Sequence, residues 1–267
     1  MKSYAMGLAV GVALVALAAC GGGDSGGSGG STGGGGATPA GGGGGEKAAY
    51  DAAAHTASFS GTVVFKGEKP KAVPLAMTSD AFCTDQWKGK TPTDQQFDMN
   101  DDGSVPNAFV WAAKGPHKDL TGYTPPAGFV VTQAACFYVP HVFGVMEGQT
   151  FTVKNADTTT HNVRVRAKRN DGFNIAQSAG ASDTVTFNRK EQRIPFTCDV
   201  HSWMAAWAYC LEHPFFATTG ADGKFEIQGL PAGKYEFRAW HEHFGEKKLE
   251  VEIGAGEAKS QDVEVEK

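Results

Sequence analysis

Helical periodicity is almost missing from this 267-residue chain. From residue 58 onward its apolar residues recur at every second position in short runs, cut by Gly, Pro and Asn-Asp turns. The fold class is therefore read as all-β, a sandwich or barrel. No C-x-x-C-H occurs, which excludes ordinary covalent haem attachment. Positive charge is not in excess either: 24 Lys and Arg face 29 Asp and Glu, a formal net charge of −5, which argues against nucleic acid as a partner. The one basic cluster, Arg164, Arg166, Lys168 and Arg169, puts Arg164, Arg166 and Lys168 on one strand face. That face is either a solvated outer surface or a docking patch for an acidic partner.

The longest apolar run, Ala5 to Ala19, falls short of the roughly 20 residues a spanning helix needs. It follows Lys2 and ends in LAAC, so residues 1–20 resemble a bacterial lipoprotein signal that would leave Cys20 lipidated and N-terminal. The resemblance implies a membrane anchor, with the rest of the chain facing the periplasm or the exterior. Gly21 stands where an inner-membrane retention aspartate would be, which favours the outer membrane. Residues 21–57 are mostly Gly, Ser and Ala and are read as a linker. A flexible tether of about 25 residues spans roughly 25 to 30 Å.

Five cysteines are present. With Cys20 assigned to lipid and Cys198 to the motif below, Cys83, Cys136 and Cys210 remain, an odd number for an oxidising compartment. A Cys83–Cys136 bridge, pinning a polar loop onto a strand, is the favoured pair. Cys210, in WAYCLE, is expected to pack as a small apolar residue.

Strands are expected at Phe59 to Phe65, through Phe109 and Trp111, at Phe129 to Val139, Val142 to Met146, Gln149 to Asn155, His161 to Ala167, Ser182 to Asn188, Gln192 to Cys198 and Ala205 to Glu212. The span from Pro70 to Asp98 has no steady period and reads as a long excursion. Four more strands follow, through Phe225, Tyr235, Val251 and Val263. They are too few to close a core alone and are expected to recruit the early strand at Phe59, with the middle of the chain inserted in that sandwich or fused to it.

The chemistry concentrates in Phe196 to Met204, FTCDVHSWM, and in the upstream NADTTTHNV that holds His161. A thiol, an imidazole and a thioether in C-x-x-H-x-x-M spacing, joined by a second imidazole from a neighbouring strand, make the His, His, Cys and weak Met set of a blue-copper centre. The two segments resemble the cupredoxin family, and the ligand spacing most resembles amicyanin; the likeness covers about Asp101 to Glu212. It implies a Greek-key β-sandwich, one type 1 copper on His161, Cys198, His201 and Met204, and Asn162 tying the His161 strand to the Cys198 loop. Trp203 departs from the aliphatic or Phe residue expected beside the exposed histidine. It would shield His201, form part of a docking surface or plug the space between loops. The segment ADGKFEIQGLPAGKYEFRAW is similar to carboxypeptidase-regulatory-like β-sandwich modules, a fold signal that brings no active site. The expected organisation is residues 1–20 signal, 21–57 linker, 58–100 first strand of the small sandwich and a long loop, 101–214 copper domain and 215–267 C-terminal module.

The function these readings imply is one-electron transfer between a redox donor and acceptor at the envelope. A multicopper enzyme would need further H-x-H or H-C-H elements, and only His241-Glu-His243 is present, so no enzyme is expected. His241 and His243 form a weaker candidate for a second metal site, with His213 as a possible neighbour. His141, after Pro140, is expected to pack or cap a turn, while His55 and His117 carry no argument. The competing readings are a carbohydrate- or protein-binding envelope sandwich and a Cu(I) storage or handling protein.

Overall fold

Period-two burial runs through almost every element of the computed structural model, which describes residues 47–266. The signal at residues 1–20, the lipidation site Cys20 and most of the linker lie outside the described residues. In chain order the strands are β1 (Ala48–Ala49), β2 (Ala57–Phe65), β3 (Phe109–Lys114), β4 (Leu120–Thr121), β5 (Val130–Ala134), β6 (Phe137–Val139), β7 (Val142–Met146), β8 (Thr150–Asn155), β9 (His161–Val165), β10 (Phe173–Gln177), β11 (Ser182–Thr186), β12 (Glu191–Thr197), β13 (Ala205–Leu211), β14 (Phe216–Thr218), β15 (Lys224–Leu230), β16 (Gly233–His241), β17 (Gly245–Ile253), β18 (Ala258–Ser260) and β19 (Val263–Val265). One α-helix, α1 (Ala81–Gln86), interrupts the excursion between β2 and β3.

Two sandwiches result. In the first, the sheet β10-β9-β12-β13-β7 shares a core with the sheet β11-β8-β5-β6. Val145, Val163 and Phe196 from one meet Val131, Val153 and Val185 from the other. In the second, β14-β3-β16-β17 packs on β15-β2-β18 around Phe59, Val63, Phe237 and Ile253, with β19 also paired to β2. The early strand does recruit the C-terminal ones. β2 runs antiparallel to β15 and parallel to β18 and β19. Gly61 permits this close approach: a Cβ there would stand 2.0 Å from the Gln261 carbonyl oxygen.

Expected boundaries shift in three places. β3, expected within the 101–214 copper span, instead pairs with β14 and β16 of the second sandwich. It is buried on both faces because Val110 and Ala112 enter the second core while Phe109 and Trp111 join a third cluster with Val142, Tyr209, Leu211 and Trp240. That cluster is an aromatic seam linking the sandwiches, and β5 to β13 form an insertion between β3 and β14. The expected strand Phe129 to Val139 is a hairpin, β5 and β6, turning at Ala135 and Cys136. Both turn residues have positive φ, 49° and 62°, in a sequence with no Asn-Gly to announce it. The excursion carries α1, whose single buried residue is Cys83.

Four histidines are buried outside the His161 and Cys198–Met204 segments: His117, His141, His213 and His241. His117 and His213 contact edge to face, with centroids 4.4 Å apart, and His241 stacks on Phe244. Burial lowers His117 to about 4, with Lys118 nearby acting in the same direction; it lowers His213 to about 3 and His241 to about 4. All three are neutral in the fold but would charge in the unfolded chain below about 6.5. Their contribution is therefore complete above that pH and is lost as pH falls toward 4 and then 3. Neither ring nitrogen of His117 has a hydrogen-bond partner. His117→Phe should thus fold, and between pH 7 and 5 should lose roughly 2 kcal/mol less stability than the parent chain. Urea unfolding at the two pH values measures this; equal losses would contradict a neutral, buried His117.

Candidate metal centre

Each ligand edge is placed by a backbone feature. His161 opens β9, and Cys198 follows the last residue of β12, Thr197, which pairs with Arg164 of β9. The loop from Cys198 to Met204 closes on itself: the Cys198 N–H donates to the Met204 carbonyl, and the Met204 N–H donates to that of His201. His161 Nδ1, His201 Nδ1 and Cys198 Sγ converge, ligand atoms of the three residues lying within 4.8 Å of one another. The two Nδ1 atoms are 2.8 Å apart, and His201 Nδ1 is 3.9 Å from the sulfur. All three residues and Met204 are buried.

The far edge of each imidazole meets a carboxylate. His161 Nε2 donates to Asp157 Oδ2 at 2.8 Å, and His201 Nε2 donates to Asp80 Oδ2 at 3.2 Å. With both Nε2–H groups engaged, the tautomers put the Nδ1 lone pairs inward, an arrangement able to share a proton or to bind a cation. Burial alone would lower His161, but the Asp157 carboxylate and the Cys198 sulfur outweigh it and raise it to about 9. His201 goes the other way: burial and the His161 charge lower it against the pull of Asp80.

The thiol is prepared as well. Burial pushes Cys198 up, yet His161 and the N–H groups of Asn162 and His201 hold it below its ordinary value. Those N–H groups approach the sulfur at 3.5 and 3.4 Å. The Asn162 side chain accepts from the Asp199 N–H and donates to Asn174. It thereby joins β9 and β10 to the Cys198 loop. Arg164 pairs with Asp199 at the rim, 3.0 Å away.

Asp80 and Asp157 are the site residues that motif reading does not single out. Asp157 takes the Ala135 and Cys136 N–H groups at 2.7 and 2.8 Å, holding the positive-φ turn. Its signal was present, as the Asp of N-x-D-x-x-x-H-N. Asp80 accepts from the Cys83 N–H and from Thr159 Oγ1, and its only trace in the sequence is a helix-capping D-A-F-C. Cys83 and Cys136 are disulfide-bonded, and Cys83 Sγ lies 3.8 Å from His201 Nε2. Trp203 lies against His201, ring centroids 5.0 Å apart, and donates to the Cys136 carbonyl.

Other expected residues lie apart from the centre. Cys210 is a buried free thiol. His241 Nδ1 accepts the His243 N–H, and neither residue enters a ligand cluster among the described residues. β16 ends at His241, so the two do not share a strand face as their period-two spacing suggested; His243 lies in the following turn, edge-on to Phe97. His213, a possible neighbour of that pair, instead meets His117. His141 links the Ala205 carbonyl to Glu242 of the second sandwich.

The donor set suits copper. Two imidazole nitrogens and a thiolate, with a thioether in the same loop, satisfy Cu(I) and Cu(II) alike. No protein-family model matches the chain, and no curated protein matches it. Among solved structures, a copper-containing nitrite reductase from Thermus scotoductus SA-01 superposes at TM-score 0.31 and 16% identity, over 38% of this chain and 25% of that one. A reduced Cu(I) form of an amicyanin variant gives 0.29 and 20%, over 33% and 91%. A purple cupredoxin from Nitrosopumilus maritimus gives 0.27 and 20%, over 32% and 99%. The chain thus spans about a quarter of the reductase and nearly all of each smaller protein.

Asn155, fully buried, steadies the loop that delivers Asp157 and His161. Its amide donates to the carbonyls of Thr159, Gln177 and Ser178, and its oxygen takes the Asp157 N–H. Asn155→Ala strands these groups and should lower metal-free stability by on the order of 3 kcal/mol in urea unfolding. A change below about 1 kcal/mol would show that water replaces the amide.

Proposed function

We propose that the chain is a cupredoxin-type protein that binds one type 1 copper and carries single electrons between a redox donor and acceptor at the cell envelope. One observation carries the reading: two buried imidazoles, each with its outer nitrogen on a carboxylate, aim their inner nitrogens at one buried thiol. His161, Cys198 and His201 would hold the ion, and Met204, buried in the same core as Cys198, would be the weak fourth ligand. Bound copper would supply the one-electron chemistry.

The chain's own groups do the rest. Asp157 and Asp80 fix the ring orientations, two N–H groups support the thiolate, and burial excludes water. A frame tied together without the ion has little to rearrange when the charge changes. Every cluster of three or more such ligand groups among the described residues includes His161 or His201. The LAAC signal supports a lipid anchor at Cys20, facing the periplasm or the exterior, and Gly21 favours the outer membrane. Arg164, half-buried and paired with Asp199, and Val200, 52% exposed, mark the rim where a redox partner would dock.

Loading with Cu(II) should give one copper per chain, an intense visible thiolate-to-copper band and a narrow-hyperfine electron paramagnetic resonance signal. Cys198→Ser should abolish the band. Protein that stays colourless, or that binds only zinc or Cu(I), would overturn the carrier assignment.

A further inference from the structure

His201 sits in a loop whose neighbours Asp199 and Val200 are exposed, yet it is itself only 1% exposed. The cover comes from a distant part of the chain. Asp80 and α1 belong to the segment between β2 and β3, more than a hundred residues upstream of His201. Three ties fasten this segment over the site. Cys83 is bonded to Cys136, Trp87 Nε1 donates to the Ala135 carbonyl at 2.9 Å, and the Asp80 carboxylate reaches His201 directly.

The carboxylate serves three donors from three places. Oδ1 takes the Cys83 N–H at 3.0 Å, while Oδ2 takes the Thr159 hydroxyl at 2.8 Å and the His201 Nε2–H at 3.2 Å. Thr159 belongs to the loop that carries Asp157 and ends at His161. One side chain therefore couples the lid, the His161 loop and the His201 loop. Capping α1 alone would need one oxygen; the second oxygen is spent on the metal-site histidine and the loop beside it.

We infer that Asp80 is a positioning residue for the copper centre: it latches the α1 segment over His201, fixes the ring with Nδ1 facing inward and biases the bound ion toward its more positive oxidation state. This rests on the copper reading above. The direction follows from charge. An anion bonded to a ligand imidazole raises its basicity and favours Cu(II) over Cu(I). The latch also retains the ion, because His201 cannot swing outward without breaking the Asp80 bond.

Asp80→Asn separates this role from simple capping. Asn caps helices about as well as Asp, so the fold is preserved. An amide, however, has a single acceptor oxygen and no charge, and cannot serve the Cys83 and His201 N–H groups together. In the metal-free full-length protein, Asp80→Asn should keep a cooperative unfolding transition at a lowered midpoint. In the copper-loaded protein it should shift the one-electron equilibrium toward Cu(I) by about tenfold, a rise of about 59 mV. Copper loss to a chelator should quicken by about 10- to 100-fold. Thr159→Val, which removes a support of the carboxylate without touching His201, should shift both readouts the same way by less. Wild-type protein that shows the type 1 spectrum while Asp80→Asn matches it in potential and copper loss would overturn the inference and leave the copper reading standing. Wild-type protein without that spectrum would overturn the copper reading itself.

Discussion

A buried imidazole has two nitrogens to satisfy, and in this protein the outer one decides what the inner one can do. Asp157 and Asp80 each take an Nε2–H, so His161 and His201 have only Nδ1 left to offer, and the fold points both at the Cys198 sulfur. Without the carboxylates, either ring could flip or turn its proton inward and face the thiol with a donor. The two anions also offset the desolvation of rings that carry positive charge, as a shared proton or a bound cation. The centre is thus built from outside inward, beginning with the groups that hold its carboxylates.

Asp157 illustrates the point. Ala135 and Cys136 both lie in the left-handed region, where a residue with a side chain is strained by about 1 to 3 kcal/mol. The strain persists because both N–H groups of the turn point at the Asp157 carboxylate and the Cys136 side chain is bonded to Cys83. Asn155 in turn fixes the loop that bears Asp157. Each of these contacts is made by protein groups alone. The carboxylate that orients His161 is therefore in place whether or not an ion is bound, which is the condition for a site that changes charge with little movement.

Much of this was legible in the sequence, unevenly. The period-two runs gave the all-β class, and C-x-x-H-x-x-M with the upstream N-x-D-x-x-x-H-N named residues that the fold gathers, because a short loop between paired strands leaves few other places for such side chains to go. Cys83 and Cys136 were the favoured pair among three remaining cysteines, a polar loop against a strand, and the fold bridges them. β3 misled, since its neighbours in sequence are not its neighbours in the sheet and its burial on both faces hides the alternation. The Ala135–Cys136 turn left no mark, because its geometry is imposed by Asp157 rather than by turn-forming residues. Asp80 was the least visible: a cap of a six-residue helix in an aperiodic stretch has no local pattern to say that its second oxygen meets a histidine over a hundred positions away.

The same long-range logic explains why the sandwich that carries His161, Cys198 and His201 is inserted in the sequence of the other one. β3 and β14 pair with each other, Trp111 opposite Phe216, so the inserted module begins and ends at adjacent points of one sheet. Closing so long an insertion is tolerable, because the entropic cost grows by only about 0.6 kcal/mol for each doubling of loop length. In exchange, β13, the strand leaving the Cys198–Met204 loop, buries Tyr209 and Leu211 in the seam against Phe109, Trp111 and Trp240. His141 adds a tie from the Ala205 carbonyl, one residue past Met204, to Glu242. The exit of the ligand loop is thereby anchored to a second hydrophobic core, while α1, carried on the chain between β2 and β3, is held over its histidine. A free-standing sandwich would have to supply both restraints from its own loops; here the second sandwich provides one anchor, and its own connection from β2 to β3 provides the lid.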